Sequence, residues 1–399
     1  MRKLTVLIFI FLLLNGCVDN GHPTVPDVRL KLLKTVSLKA DAGVGMMIND
    51  TDGGYLIAGS LQNSPGDKGF IVKSDNKGNK VWVKYYPFAI QYLKKNTGTG
   101  YLLAEYGPTG CKIYITDNNA DIQQTLTYSA GSSYFSQDPG FFAERTADNN
   151  FVISALRKFA DGGSYGFFEM YISKIDPSGN VIWEYNFVTS DSMQDQATAP
   201  SGDGGYYIAV NNKTYNSPVT YMPGPVILFK ISGNGAVLWT NNSLTSADGR
   251  VNAICLKENL DGTVIIGCQG YSSFLMIKTD SLGNVISIKP DTPRDVPFWG
   301  VINQAIITQG NIALMAETNY HLDNGGPVEE EAVVGFVDEN VVNFWQNITG
   351  GKGTDSAKSV VLSLDGSYVI SAGNTSSFSV TGKSEVYISE MDTSGRFIW

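Results

Sequence analysis

Short apolar segments separated by glycine-containing turns recur along most of the chain. The clearest copy starts at Asp52-Gly53-Gly54-Tyr55-Leu56-Ile57-Ala58-Gly59, continues through Gly69-Phe70-Ile71-Val72-Lys73-Ser74-Asp75 and ends at Gly78-Asn79-Lys80-Val81-Trp82. The same order returns six more times. Apolar runs of this length between turn residues predict β-strands. Each copy supplies one apolar strand before its Asp-Gly turn and three strands after it.

The spacing of the copies predicts the fold. We align the copies on one aliphatic residue each: Ile57, Leu103, Ile153, Ile208, Ile266, Leu314 and Ile370. The intervals are 46, 50, 55, 58, 48 and 56 residues. A period near 50 residues fits one four-stranded blade. We therefore predict an all-β, seven-bladed β-propeller with four antiparallel strands per blade.

The predicted organisation covers the whole chain. Residues 1–16 are predicted to be a lipoprotein signal peptide, 17–28 a tether and 29–399 the propeller. The predicted blades are 39–88, 89–130, 139–189, 195–245, 250–291, 298–350 and 355–399, the last completed by 29–38. The last repeat reaches Trp399 before a full fourth strand, and residues 29–38 are predicted to supply that strand. This closure would remove an open sheet edge.

The N-terminus predicts export and lipidation. Met1-Arg2-Lys3 precedes the apolar run from Leu4 to Leu14, which is too short for a comfortable transmembrane helix and fits a cleavable signal. Cys17 directly follows Leu14-Asn15-Gly16, which resembles a bacterial lipobox, although Asn15 is a less usual residue there. A multiply acylated Cys17 would hold the protein on a lipid bilayer. The alternative is an ordinary signal peptide with an incidental cysteine.

Composition supports strands and excludes nucleic acid as a partner. The chain contains 43 Gly, 20 Tyr and 19 Phe residues, and only 17% of its residues are charged, which favours many strands and tight turns. The formal net charge is −9 and no basic stripe is present, whereas binding to phosphates would demand one.

The sequence offers little catalytic or metal chemistry. The two histidines, His22 and His321, cannot build a His-rich metal site and leave only one candidate base for a nucleophilic site. The stretch from Asp117 to Asp121 has the oxygen spacing of a calcium loop but lacks the downstream Glu, so a solvated turn is the alternative. We predict no cofactor, no metal site and no catalytic residue.

Cysteine spacing raises one hypothesis about a disulfide. If Asp261-Gly262 is a two-residue hairpin loop, Cys255 and Cys268 face each other at a non-hydrogen-bonded pair, about 4.5 Å apart between Cα atoms. That distance permits a disulfide in an oxidising compartment. The alternative is a pair of small buried thiols.

The repeated motifs resemble a known family. The Gly-Gly-Tyr strand and the Lys-x-Asp-x-x-Gly-Asn turn followed by Trp are similar to those of secreted and lipid-anchored bacterial β-propeller repeat proteins with kelch-like blades. The resemblance covers essentially the whole mature chain. It implies an extracytoplasmic binding or scaffold role and nothing sharper. With the predicted lipid anchor, the expected location is the cell envelope, at the outer membrane. The Asp and Trp residues that recur in most of the blades are interpreted as architecture, with Trp packing between neighbouring blades.

Variation between the blades predicts the binding face. Second-to-third strand loops and connections between blades emerge on one face of a propeller, and here they are long and dissimilar. We predict a site on blades 3, 4 and 6 from aromatic and polar residues in these segments: Tyr134, Tyr165, Tyr215, Tyr221, Arg294, Trp299, Tyr320, His321 and Asp323. The expected ligand is a glycan or a protein partner. The alternatives are loop packing by these aromatic side chains and a propeller hydrolase or lyase acting on a polysaccharide.

Overall fold

The computed structural model describes residues 33–107, 110–129, 134–135, 141–158, 168–187, 192–215, 221–245, 251–270, 274–289, 300–322, 328–339, 344–348, 354–377, 379 and 383–399. In these ranges the chain forms strands and turns, with no helix. The strands make seven antiparallel sheets, and each sheet packs against the next around a ring. The predicted seven-bladed β-propeller is confirmed.

The strands follow the chain order, and the first strand of each blade lies nearest the central channel. Strand β1 is Lys34–Val36. Blade 1 contains β2 (Asp41–Asn49), β3 (Tyr55–Gln62), β4 (Gly69–Ser74) and β5 (Lys80–Tyr86). Blade 2 contains β6 (Tyr92–Lys95), β7 (Tyr101–Gly107), β8 (Gly110–Thr116) and β9 (Ile122–Ser129). Blade 3 contains β10 (Tyr134–Phe135), β11 (Phe142–Arg145), β12 (Phe151–Lys158), β13 (Phe168–Ile175) and β14 (Val181–Phe187).

The remaining four blades repeat this order. Blade 4 contains β15 (Ser192–Pro200), β16 (Tyr206–Tyr215), β17 (Tyr221–Ile231) and β18 (Val237–Leu244). Blade 5 contains β19 (Asn252–Glu258), β20 (Val264–Gln269), β21 (Phe274–Thr279) and β22 (Val285–Lys289). Blade 6 contains β23 (Gly300–Ile307), β24 (Ala313–Leu322), β25 (Val328–Val337) and β26 (Phe344–Ile348). Blade 7 contains β27 (Asp355–Leu362), β28 (Tyr368–Thr375) and β29 (Glu385–Asp392).

The fourth strand of blade 7 is assembled from both ends of the described chain. Strand β1 pairs antiparallel with β29, with Lys34 opposite Ile388 and Val36 opposite Val386. Residues 397–399 pair with the next part of β29, where the N–H of Ile398 donates to the Glu390 carbonyl at 2.8 Å. The predicted closure of the seventh blade by an N-terminal strand is therefore confirmed.

Tryptophan side chains of the outer strands join neighbouring blades. The rings of Trp183, Trp239, Trp345 and Trp399 each pack on the positive-φ glycine of the next blade's last turn, which is respectively Gly235, Gly283, Gly395 and Gly78. The indole N–H of Trp183 also donates to the Gly233 carbonyl at 3.1 Å. A Cβ atom added to Gly235 would lie only 2.6 Å from the Trp183 ring. The predicted packing of Trp between blades is confirmed.

Blade 2 lacks this tryptophan and uses a glutamine. Gln124 lies on its outer strand, and its side-chain NH₂ donates to the Pro177 carbonyl of blade 3 at 3.0 Å. Pro177 holds the same place in its turn as Gly233 does in blade 4. The amide therefore reproduces the hydrogen bond of the indole without its apolar surface.

The core consists of layers between adjacent blades. Strand β4 is buried along its whole length, because its side chains pack on both faces of the sheet. One cluster joins blades 2 and 3 through residues such as Ile113, Tyr128 and Ile153. Another joins blades 5 and 6 through Cys255, Phe274 and Ala305. Each blade therefore buries its two apolar faces against its neighbours.

The predicted pairing of Cys255 with Cys268 is wrong. The N–H of Gly262 donates to the Asn259 carbonyl at 3.0 Å, and the N–H of Asn259 donates to the Thr263 carbonyl at 2.8 Å. These bonds define a longer turn in which Gly262 alone takes a positive φ, so the strands are offset by one residue. Cys255 lies opposite Gly267, and Cys268 lies opposite Ala253.

The two thiols consequently lie on opposite faces of blade 5. Cys255 packs toward blade 6, whereas Cys268 packs toward blade 4. Both are free, as is Cys111, and burial raises the pKa of Cys111 and of Cys255 to about 12. These cysteines are small core residues, which is the alternative that the sequence left open.

Candidate binding site

Antiparallel strands divide the turns of the ring between two faces. The turn face carries the first-to-second and third-to-fourth strand turns of every blade. The loop face carries the second-to-third strand loops and the connections between blades. The hydrogen bonds and ion pairs of polar side chains differ between these two faces.

On the turn face, a lysine near the end of the third strand, which begins the Lys-x-Asp motif in blades 1 and 3, holds the first turn of its own blade. Lys73 Nζ lies 2.6 Å from Asp50 Oδ2 and 2.6 Å from Asp52 Oδ1. The Tyr101 hydroxyl of blade 2 donates to Asp50 at 2.9 Å. Lys174 pairs in the same way with Asp148 at 2.6 Å, and Lys230 pairs with Asp203 at 2.9 Å. The motif is therefore part of the fold.

Burial and charge act in opposite directions on Asp50. Burial alone would raise its pKa, but hydrogen bonds from Lys73, the Thr51 N–H and Tyr101 lower the pKa to about 2. Its charge is thus satisfied within the fold.

An aspartate at or just after the end of the third strand organises the last turn of blades 1, 2, 3, 5 and 7. Asp75 Oδ1 accepts the N–H groups of Lys77 and Asn79 at 2.9 and 2.8 Å. In blade 2, Asp117 Oδ1 accepts those of Asn119 and Asp121 at 2.9 Å in the same arrangement. The stretch that resembled a calcium loop is thus built like the other turns. No group of acidic, His or Cys residues suited to a metal occurs in the described residues.

The predicted binding residues fall on the loop face or beyond the described chain. Cys17, Tyr165, Arg294, Trp299 and Asp323 lie outside the described residues. The backbones of the others lie in strands: Tyr134 pairs with Lys158, Tyr215 with Tyr221, Tyr320 with Glu330, and His321 with Glu329. The structure therefore brings Tyr215 and Tyr221 together across one hairpin. It places Tyr134 in blade 3 and Tyr320 and His321 in blade 6. Participation of these residues in binding stays a prediction.

A cavity of about 380 Å³ opens on the loop face at blade 2. Its lining comes from the loop-face ends of the blade 2 strands and from blade 1: Lys68, Pro87, Phe88, Ala89, Gln91, Glu105, Tyr106, Gly107, Gly110, Cys111, Lys112, Thr127 and Tyr128. The paired ends of strands β7 and β8, Gly107 and Gly110, lie at the cavity. Strand β10, which carries Tyr134, contacts β7 and β8.

Polar groups in this cavity keep unused hydrogen-bonding capacity. Glu105 Oε1 accepts from Lys112 Nζ and from the Tyr114 hydroxyl, both at 2.9 Å, and its Oε2 has no hydrogen-bond partner among the described residues. The Gln91 side-chain oxygen accepts the Tyr106 N–H at 2.7 Å, which leaves the Gln91 NH₂ group to the cavity. The exposed Lys68 ammonium forms no ion pair within the described chain, and neighbouring Asp67 pairs with Lys39.

Two stacked ring pairs stiffen the walls of the cavity. Phe88 stacks on Tyr114 with ring centroids 3.9 Å apart, and Tyr106 stacks on Phe141 with centroids 4.5 Å apart. Each pair is close to parallel, with interplanar angles of 6° and 12°. The cavity therefore combines rigid aromatic surface with a carboxylate, an amide and two ammonium groups, which is the composition of a ligand site.

The cavity borders the central channel. The channel encloses about 830 Å³ and is lined by first strands of the blades, and Gln91 and Tyr106 line both spaces. Several first strands shift register near the loop face, which places Gly45, Ile254 and Asn303 in the channel wall. A ligand in the blade 2 cavity could therefore extend toward the axis of the ring.

Sequence reasoning did not find this cavity. The predicted site was placed on long loops with aromatic residues. The cavity instead lies beside the two-residue connection between β7 and β8, in a repeat that departs from the common pattern. The signal available in the sequence was the loss of the repeat pattern in blade 2, where Glu105 and Tyr106 follow Ala104.

Comparison with known proteins identifies the fold and nothing narrower. No protein-family model matches the chain, and no curated protein matches its sequence. Among solved structures, the chain is similar to YCF48 from Cyanidioschyzon merolae, at 8% identity and a TM-score of 0.52, over 90% of this chain and 98% of that one. The β-propeller domain of the Trilobed protease from Pyrococcus furiosus matches at 13% identity and a TM-score of 0.49, over 90% of this chain and 98% of the domain.

Among the described residues, no helix is long and apolar enough to cross a bilayer.

Proposed function

We propose that this protein is a non-catalytic, lipid-anchored protein of the bacterial cell envelope whose propeller binds a glycan or a protein partner on its loop face. The observation that carries the proposal is the blade 2 cavity, where Glu105 Oε2, the Gln91 NH₂ group and the Lys68 ammonium have no partner in the described part of the chain. On the turn face, the corresponding charged groups hold the turns. A propeller scaffold with one open, chemically varied face suits binding.

The anchor and the location rest on the N-terminal sequence. Replacing Cys17 by Ser should abolish incorporation of radiolabelled palmitate and release the protein from the membrane fraction. Retention of label in the Cys17→Ser variant would contradict lipidation at this residue.

Binding is tested by presenting the mature domain to a glycan array and, in parallel, by a cross-linking pull-down. Tyr106→Ala removes one wall of the cavity, and Lys80→Gln is a matched control on the turn face, where Lys80 is exposed. We expect loss of the bound ligand with Tyr106→Ala and no change with Lys80→Gln. The combined Tyr165, Tyr221 and Tyr320 alanine variant tests the site predicted on blades 3, 4 and 6. Loss of binding in Lys80→Gln with retention in both loop-face variants would overturn the proposal.

A further inference from the structure

The blade 2 cavity carries an uncompensated positive charge in an acidic protein. The chain has a formal net charge of −9. Two ammonium groups, of Lys68 and Lys112, line the cavity together with one carboxylate, of Glu105. Glu105 pairs with Lys112, and Asp67 pairs with Lys39. Lys68 has no carboxylate partner in the described part of the chain. An anionic group on a ligand would complete this pairing.

The other groups of the cavity favour a polyhydroxyl ligand. The open Oε2 of Glu105 can accept a hydroxyl proton, and the NH₂ group of Gln91 can donate to a hydroxyl oxygen. A carboxylate and an amide together can thus grip adjacent hydroxyl groups. The half-buried Tyr106 ring stacks on Phe141 and lines the cavity, so its exposed part supplies apolar surface for the C–H groups of a sugar ring.

These groups are held in place before any ligand binds. The Tyr114 hydroxyl and Lys112 both fix Glu105 Oε1, and the Tyr106 backbone N–H fixes the Gln91 amide. Little side-chain freedom is therefore lost on binding. The size of the cavity, about 380 Å³, lies within the range of about 300–1,000 Å³ usual for small-molecule sites.

We propose that the blade 2 cavity binds an oligosaccharide that carries a carboxylate, with Lys68 pairing to the carboxylate, Glu105 and Gln91 holding hydroxyl groups and Tyr106 contacting the sugar ring. This inference rests on the proposed binding function and adds the chemical class of the ligand. A site of this kind weakens with rising salt, because the Lys68 pair is exposed.

The experiment compares three probes by isothermal titration calorimetry on the mature domain. The probes are a tri-galacturonate, its methyl ester and a neutral trisaccharide of galactose. We expect the acid to bind at least about 10-fold more tightly than the ester. Lys68→Gln should remove this difference without changing the affinity for the ester, whereas Lys80→Gln should leave all affinities unchanged. Glu105→Gln and Tyr106→Ala should weaken binding of the acid and of the ester alike.

Each alternative outcome is informative, provided that the variants keep the thermal midpoint of the wild type. Equal affinity for acid and ester, or an effect of Lys80→Gln as large as that of Lys68→Gln, would overturn the charge recognition. If none of the three probes binds while Tyr106→Ala abolishes a specific partner in the pull-down, the carboxylated-sugar inference fails and the proposed function stands. If the turn-face variant alone loses the partner, the proposed function fails as well.

Discussion

The turn face and the loop face are built from the same seven blades, yet their charged side chains have different tasks. On the turn face, Lys73, Lys174 and Lys230 each hold an aspartate of their own blade. At the blade 2 end of the loop face, Lys68 has no acidic partner in the described chain, and Glu105 keeps one oxygen open. The ion pairs that stabilise the turns recur in several blades. The groups of the cavity that lack a partner in the described chain belong to one place in the ring. Polar groups that do not recur from blade to blade are therefore the better guide to binding in this propeller.

Removal of the closing strand should have the largest effect and should damage both faces. Deletion of residues 29–38 removes β1 together with the buried side chains of Val36 and Leu38, whose burial contributes about 1.5–3 kcal/mol each. We expect the midpoint of urea unfolding and the melting temperature to fall markedly. Deletion of residues 18–27 is the control and should leave both unchanged. An unaltered melt in the first variant would contradict the closure of blade 7.

Breaking the buried ion pair of blade 1 should cost almost as much. Lys73→Met leaves Asp50 buried without its main partner, and the side chain of Lys73 is only 6% exposed. Such a change costs about 3–5 kcal/mol. The exposed Lys80→Met serves as the control for loss of one positive charge. The free energy of unfolding of both variants is measured in urea. Equal values would mean that the turn-face ion pairs do not stabilise the fold.

The contact between blades can be isolated with two glycines of blade 4. Gly204 and Gly235 both take a positive φ, at 82° and 87°, so alanine strains the backbone alike at either position. An added Cβ meets nothing within 4 Å at Gly204 but meets the Trp183 ring at Gly235. We expect Gly235→Ala to lose about 1–3 kcal/mol more than Gly204→Ala by urea unfolding. Equal losses would show that the Trp183 contact contributes nothing.

Acid should lower the free energy of unfolding through protonation of Asp50 on the turn face. Its pKa is about 2 in the folded protein and 3.8 as the ordinary value. Because the folded pKa is the lower one, the stabilisation is complete above about pH 5 and is lost as pH falls toward 2. The difference amounts to about 2 kcal/mol. Asp50→Asn should remove this part of the acid dependence, measured as unfolding free energy against pH, and an identical pH profile in that variant would exclude Asp50 as its source.

Substitution in the loop-face cavity should have the smallest effect on stability. Glu105→Gln keeps an oxygen that can accept from Lys112 and from Tyr114, and the side chain is partly exposed. We expect the unfolding free energy to change by less than about 0.5 kcal/mol. A loss as large as that of Lys73→Met would erase the contrast between the two faces.

The sequence predicted the fold because its signals are repeated. Asp-Gly turns, Lys-x-Asp segments and Trp residues recur in most blades, so a defect in one copy does not hide the period. The same repetition supported the closure by residues 29–38 and the packing of Trp between blades.

Register and site were harder to predict, because both depend on single residues. A turn one residue longer than the assumed Asp261-Gly262 loop moved Cys268 to the other face of blade 5. The cavity is lined by the paired strand ends Gly107 and Gly110 and by side chains such as Lys68, Gln91 and Glu105. The length of one turn and the side chains that line one cavity belong to particular blades, and the shared repeat pattern does not contain them.

The most direct test of the division between the faces is a titration of the ligand found by the array or pull-down into matched variants. Glu105→Gln and Tyr106→Ala alter the loop face, and Asp52→Asn alters the turn face, where Asp52 pairs with Lys73. At equal folded fractions, we predict that the dissociation constant rises at least about 10-fold in the first two variants, a loss of about 1.4 kcal/mol, and stays within twofold of the wild type in the third. A rise in Asp52→Asn with no change in the loop-face variants would contradict the account.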